Sequence, residues 1–187
     1  MTAQSGKKEL RAYFKALRAS HETERALWDK MITERVLECG EYKAAKRLLA
    51  FVSNDIEVST REIIDRALKE KEVYCPRCIR GTSEMRFFRI MSTDDLEKGY
   101  FGILEPKAHC GELESSEGAV CLTPGLAYDE RGFRLGFGKG FYDRFFKTFS
   151  GVRLGICYDE CVVAELPADE HDIGADLLIT ESRTLRF

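Results

Sequence analysis

Apolar residues recur at helical spacing near the start of the chain and at strand spacing through most of the remainder. Between residues 6 and 19, Leu10, Tyr13, Phe14 and Leu17 stand at i, i+3, i+4 and i+7, the period that gathers side chains on one helix face. Lys7, Arg11, Lys15 and Arg18 form an opposing basic stripe. A second helix is predicted from about 21 to 40, with Ser20 as N-cap and Trp28, Met31, Ile32, Val36 and Cys39 facing inward. Residues 47–53 then read as a first buried strand. A turn carrying Asp55 and Glu57 leads to a helix over 60–71, where Ser59 and Glu62 have the spacing of a capping box. Further strand-like runs lie at 73–77, 85–91, 119–123, 152–158 and 177–180, and Phe141, Tyr142, Phe145, Phe146 and Phe149 mark a helix between the third and fourth of these. Residues 105–118 read as a polar surface loop. The alternation predicts an α/β fold: a single layered domain over residues 1–187, with a largely parallel central sheet flanked by helices.

Composition narrows the function classes. The chain has 187 residues, 44% apolar and 33% charged, enough for one domain with a real core. Net charge is 29 − 32 = −3, so no global basic field recruits nucleic acid. No segment approaches the ~20 apolar residues of a membrane span, and the N-terminus lacks a signal-peptide core. A cytoplasmic protein, more readily a monomer, is expected. Cys75-Pro-Arg-Cys78 has C-x-x-C spacing, but Cys157 and Cys161 are four apart and His21, His109 and His171 are scattered. Reduced, mostly buried thiols are the better reading than zinc or redox chemistry.

The chemistry concentrates in Arg134-Leu-Gly-Phe-Gly-Lys-Gly-Phe-Tyr-Asp-Arg144. Gly136, Gly138 and Gly140 enclose Lys139, with Arg134 before and Asp143 after. A glycine loop running into a helix start presents free N–H donors, and with nearby cations it suits a polyphosphate. The P-loop and Rossmann spacings both fail here. Alone, the segment could equally be a structural turn with Lys139 and Asp143 paired across one helical turn.

Pro124-Gly-Leu-Ala-Tyr-Asp129, Gly132 and the glycine motif together resemble the signature of the 5-formyltetrahydrofolate cyclo-ligase family, also called 5,10-methenyltetrahydrofolate synthetases. The resemblance extends in order through Lys7-Lys-Glu-Leu-Arg11, Phe51-Val-Ser, Glu57-Val-Ser-Thr60, Gly102-Ile-Leu-Glu-Pro106, Leu166-Pro and His171-Asp-Ile-Gly-Ala-Asp176. It implies ATP-dependent conversion of 5-formyltetrahydrofolate to 5,10-methenyltetrahydrofolate with release of ADP and phosphate, with Mg2+ as the metal. Carried over by position, Lys7 and Arg11 would reach ATP phosphates. Arg134, Leu135, Gly136, Phe137, Gly138, Lys139, Gly140, Phe141 and Tyr142 would form the nucleotide loop, with Lys139 and Arg134 acting on the transferring phosphoryl group. Asp143 and Asp172 would hold magnesium. Glu57 would bond the pterin, and Phe137, Gly138, Lys139, Gly140 and Phe141 would touch the folate, with Val52 and Phe101 as further pocket walls. Position 141 is Phe where the family frequently has Tyr, which keeps a stacking ring and loses a hydroxyl.

The residues taken singly leave other roles open. Lys7 and Arg11 fit a solvated basic face, Glu57 could assist the next helix cap, and Asp172 could be an ordinary loop aspartate. As whole-protein alternatives, a folate- or nucleotide-sequestering module would not need both acidic positions. A sugar-phosphate isomerase or CoA transferase on a related sheet would not need a nucleotide.

Overall fold

The computed structural model describes residues 3–99 and 102–187. Its elements run α1 (Ala3–Ser20), α2 (Glu22–Glu38), α3 (Gly40–Ala44), β1 (Arg47–Leu49), α4 (Arg61–Ala67), β2 (Glu72–Cys78), β3 (Met85–Ile90), β4 (Leu96–Lys98), β5 (Leu104–Pro106) and β6 (Ala119–Thr123). There follow β7 (Ala127–Asp129), β8 (Arg134–Leu135), α5 (Phe141–Phe146), β9 (Val152–Ile156), β10 (Val162–Val163), β11 (Leu177–Ile179) and β12 (Thr184–Arg186).

Seven of these strands form one sheet in the order β12-β11-β9-β6-β1-β2-β3. The pairs from β11 through β2 are parallel, and an antiparallel strand borders each edge. The largely parallel α/β sheet is thus as expected. Period-two alternation along the strands gives the sheet two apolar faces. Leu48, Val73, Val120 and Leu122 join the larger core with Phe14, Ile32, Val36 and Ile63 from α1, α2 and α4. Leu49, Tyr74, Ala119 and Cys121 face the other way, against Phe146 and the aromatic side of α5. The same alternation separates the C-x-x-C cysteines, because positions three apart in a strand point to opposite faces. Cys75 is fully buried and burial pushes its thiol up to about 12, while Cys78 is half-buried.

Several local expectations are corrected. The predicted polar loop 105–118 begins with β5, which pairs antiparallel with β4. The hairpin β7–β8, extended by β10, forms a second small sheet between β6 and the glycine loop. Ser20 does not cap α2, since its hydroxyl donates back to the Leu17 carbonyl. The Ser59–Glu62 capping box does not form. Thr60 occupies the N-cap and donates its hydroxyl to the Phe51 carbonyl, tying the helix start to the segment just after β1. Tyr13 is 60% exposed and Met31 36%, so neither faces inward. Arg18 is the largest departure: expected on the solvated stripe, it is 1% exposed. No described helix is long and apolar enough to cross a membrane.

The chain's last strand is fastened to α3 by Arg186, whose guanidinium donates to the Glu41 carboxylate. That bond, with a further one from the Cys39 thiol, holds the Glu41 carboxyl down at about 2. A depressed carboxyl contributes stability that is full above its ordinary pKa and is lost as pH falls toward the folded value. Glu41→Gln should therefore unfold at lower denaturant concentration than the wild type at neutral pH, and the gap should close between about pH 4.5 and 2. Urea midpoints measured across that range check it.

Candidate functional site

The site begins where β6 ends. After Thr123 the chain turns through Pro124 and Gly125 into the β7–β8 hairpin, and Tyr128 folds back to donate its hydroxyl to the Thr123 carbonyl at 2.7 Å. A Cβ at Gly125 would lie 2.6 Å from the Tyr128 ring, and one at Gly155 on β9 would lie 2.7 Å from it. Both glycines are therefore required by close approach. Asp129, at 0% exposure, closes the hairpin. Its carboxylate accepts from the Arg131 and Phe133 amides, from the Arg131 guanidinium, and from the Leu166 amide across the second sheet. The Ala175 amide donates to Gly132 O at 2.9 Å. The hairpin thus holds both ends of the segment containing residues 169–173.

The glycine loop leaves this frame at β8. Leu135 is buried in the core and its carbonyl accepts from Leu126, so it shapes the strand leading to the loop. Gly138 and Gly140 have φ of +93° and +64°, a region costly for residues with a Cβ. Arg11 reaches across from α1, donating Nε–H to the Gly136 carbonyl at 2.9 Å while its guanidinium covers Gly138. Lys139 and Phe137 are exposed, and Lys15 lies over the Phe137 ring. Arg144, for which the sequence suggested no role, donates to the Lys139 carbonyl at 2.6 Å and to Ser83 O at 2.7 Å, so the loop is fastened to the β2–β3 turn.

The expected metal-binding carboxylates both belong to the surroundings of the 172–173 segment, Asp172 within it and Asp143 bonded to the Ile173 amide, and each is already paired with a cation. Arg134 bonds Asp143 Oδ1 and the Ile173 carbonyl while stacking over Phe146. The Ile173 amide returns a bond to Asp143 Oδ1 at 3.3 Å. One residue earlier, Asp172 Oδ2 accepts from Lys7 Nζ at 2.7 Å and from the Asp169 amide. Burial works to lower the Lys7 pKa, but bonds and charge from Asp172 and Asp169 outweigh it and hold the ammonium charged. Asp143 Oδ2 and Asp172 Oδ1 remain without hydrogen-bond partners among the described residues. Two carboxylates with a free oxygen each are the donor set a magnesium ion takes alongside water and substrate phosphates.

Glu57 follows β1 and is 8% exposed. Burial raises its pKa, opposed by the Asn54 amide, which donates to Oε2 at 2.9 Å, and by the Arg18 charge. It does not cap α4. The Tyr142 hydroxyl is buried and has no partner among the described residues. Burial, reinforced by Cys121 and Glu57, pushes that phenol well above its ordinary value and keeps it neutral. Leaving such a group unpaired costs ~1–3 kcal/mol, which a ligand acceptor would recover. Val52 is half-buried against the main core, and Phe141 packs beside the smaller cluster. Phe101 lies outside the described residues.

Arg18 supplies the link that sequence reading missed. It donates to Ile56 O at 3.1 Å, to Gly125 O and to Cys157 Sγ at 3.2 Å, joining the segments that follow β1, β6 and β9. The available signal was its position four after Phe14 and eight after Leu10, on the edge of the buried face.

The chain matches a family model, the 5-formyltetrahydrofolate cyclo-ligase family, over residues 3–181. The mouse 5-formyltetrahydrofolate cyclo-ligase is 31% identical over an alignment covering 97% of this chain and 96% of that one. The Haemophilus influenzae protein of the same name is 31% identical, covering 92% of each. Among solved structures, Aquifex aeolicus 5,10-methenyltetrahydrofolate synthetase superposes with a TM-score of 0.86 at 32% identity, over 96% of this chain and 92% of that one.

Asp129→Ala would remove the acceptor of the Arg131, Phe133 and Leu166 amides, while the exposed Arg131 guanidinium would keep Glu165 and the Leu166 carbonyl as partners. A buried donor left unpaired costs about 1–3 kcal/mol. The expected result is a matching fall in unfolding free energy by chemical denaturation, with a loss below about 1 kcal/mol removing Asp129 as the hairpin's anchor.

Proposed function

Since the chain belongs to the 5-formyltetrahydrofolate cyclo-ligase family and is an enzyme of that class, we propose that it uses ATP to close 5-formyltetrahydrofolate into 5,10-methenyltetrahydrofolate. A formamide carbonyl is a poor electrophile because nitrogen donates into it, and its oxygen is a poor leaving group. In this reading the formyl oxygen attacks the γ-phosphorus and ADP departs. N10 of the folate then adds to the activated carbon, loses its proton, and phosphate leaves with the former formyl oxygen. The chain's task is to hold the phosphoryl group in line and to neutralise charge.

The observation that carries the reading is the convergence of Lys7, Arg11, Arg134 and the glycine loop on one side of α1, with the exposed Lys139 ammonium at the loop tip. Lys139 is exposed and its ammonium has no ion-pair or hydrogen-bond partner among the described residues, so it could follow a phosphoryl group, and Arg134, held between Asp143 and Phe146, supplies fixed positive potential. Asp143 and Asp172 would hold Mg2+ through their free oxygens. The ion would screen the charge between the phosphates and these carboxylates. Glu57 would accept from pterin N–H groups, and the Tyr142 hydroxyl would find its missing partner on bound substrate. Phe137 and Phe141 would bound the folate. The working unit in this reading is a cytoplasmic monomer.

Mixing the protein with 5-formyltetrahydrofolate, ATP and magnesium tests the reaction directly. Ring closure creates a conjugated amidine, so near-ultraviolet absorbance should rise only with both ATP and magnesium present. No rise from folded protein removes the proposal. Lys139→Ala should lower kcat about 10²–10³-fold, as expected for a charge acting on the transition state, with folate KM little changed. Glu57→Gln should instead raise the folate KM about 10–100-fold, the cost of a charged hydrogen bond. An effect confined to ATP kinetics would assign Glu57 elsewhere.

A further inference from the structure

Away from the glycine loop, three unlike ligand groups meet at the open end of the β4–β5 hairpin. Asp95 precedes β4, and His109 and Cys110 follow β5. One ligand atom from each lies within 4.8 Å of both others. We infer that Asp95, His109 and Cys110 form a binding site for one zinc-like divalent transition metal.

The site is held by main chain rather than by chance contact of long side chains. The Lys107 amide donates to the Asp95 carbonyl at 2.8 Å, and the Cys110 amide closes a turn onto Lys107 O. These two bonds set the 107–110 turn against Asp95. The amides of Met91 and Ser92 both donate to Asp95 Oδ2 and fix the carboxylate's orientation, so that Oδ1 turns toward the histidine. Such outer bonds are what orient carboxylate ligands in metal sites. Asp95 Oδ1 and His109 Nε2 are 3.1 Å apart. Two ligands about 2.0–2.1 Å from a tetrahedral zinc ion stand about 3.3 Å apart, so an ion could replace this hydrogen bond with a shift of tenths of an ångström. Cys110 is buried beneath and His109 is exposed, which leaves the fourth position open to solvent.

The donor set also selects the metal. A thiolate with an imidazole and a carboxylate favours zinc-like ions over magnesium or calcium, which take oxygen. Arg77, whose charge acts on Cys110 together with that of Lys107, is engaged by the carbonyls of Pro106 and Lys107. On binding, the Cys110 proton leaves to solvent and the thiolate becomes a ligand. The ion would clamp the open end of the hairpin, well separated in sequence from the loop that carries Lys139.

Cobalt(II) is the probe, because a coordinated thiolate gives a charge-transfer band that nitrogen and oxygen ligands do not. The full-length metal-free protein should take up one equivalent of Co2+ with that band, and Zn2+ should displace it. Cys110→Ser should abolish the band. Its circular dichroism is recorded alongside, and cyclo-ligase activity without added zinc should match the wild type. His109→Gln changes an exposed side chain and does not threaten the fold. It should weaken Co2+ binding by more than about tenfold, the loss that removing even an outer partner can cause. Absence of a band, a band that persists in Cys110→Ser, or unchanged affinity in His109→Gln would each overturn the assignment.

Discussion

Arg18 directs its guanidinium at the carbonyls of Ile56 and Gly125 and at the Cys157 sulfur, joining the segments that leave three neighbouring strands. Burying an ion costs several kcal/mol unless it is hydrogen-bonded; these bonds meet both terminal nitrogens while Nε has no partner among the described residues, so a shift of the helix would strand the cation further. With Arg18 fixed, the rest of α1 is in register. At 1.5 Å per residue, Arg11 lies about 10 Å and Lys7 about 16 Å toward its start. Arg11 then meets the glycine loop, and Lys7 meets Asp169 and Asp172. One helix face thus places three cations, each against a different part of the surrounding loops.

A second constraint works from below. Asp129 and Tyr128 use polar groups wholly removed from water to fix the path between β6 and the glycine loop. Buried polar groups of this kind specify one geometry, because any shift strands a donor or acceptor in a low-dielectric interior. The rigid hairpin lets the following loop contain two positive-φ glycines without losing its position. Arg144 supports it from the far side, through Ser83.

The sheet was legible because its strands are nearly continuous apolar runs, and the glycine loop because three alternate glycines around a lysine have few structural uses. What the sequence did not disclose depended on tertiary context. Arg18 has the residue type of the solvated stripe, and only the neighbouring carbonyls make it a core residue. The β7–β8 hairpin was missed because its strands are very short, and Asp129, the turn's anchor, reads locally as any loop aspartate. The Ser59–Glu62 box failed for a related reason: Thr60 was drawn to the Phe51 carbonyl, a partner outside any local pattern. Glu57, Arg134, Asp143 and Asp172 were singled out by family resemblance, but the pairing of Arg134 with Asp143 and of Lys7 with Asp172 belongs to the three-dimensional arrangement alone.

That pairing has a consequence for how charge is distributed around the loop. Arg134 and Lys7 are each neutralised by an aspartate that also receives a backbone amide. A fixed ion pair presents an oriented dipole that needs little rearrangement when charge develops nearby, which is the condition for electrostatic preorganisation. Four unpaired cations in the same volume would repel one another and collect counterions that a ligand would then have to displace. Pairing two of them and fastening Arg11 to a carbonyl leaves Lys139, on the exposed tip, with a charge uncommitted among the described residues. Its long stem costs rotamer entropy to fix, so that cost falls due only when an anion arrives. The loop thereby separates a rigid electrostatic background from one mobile charge, and the glycines on either side of Lys139 supply the backbone shape that makes the separation possible.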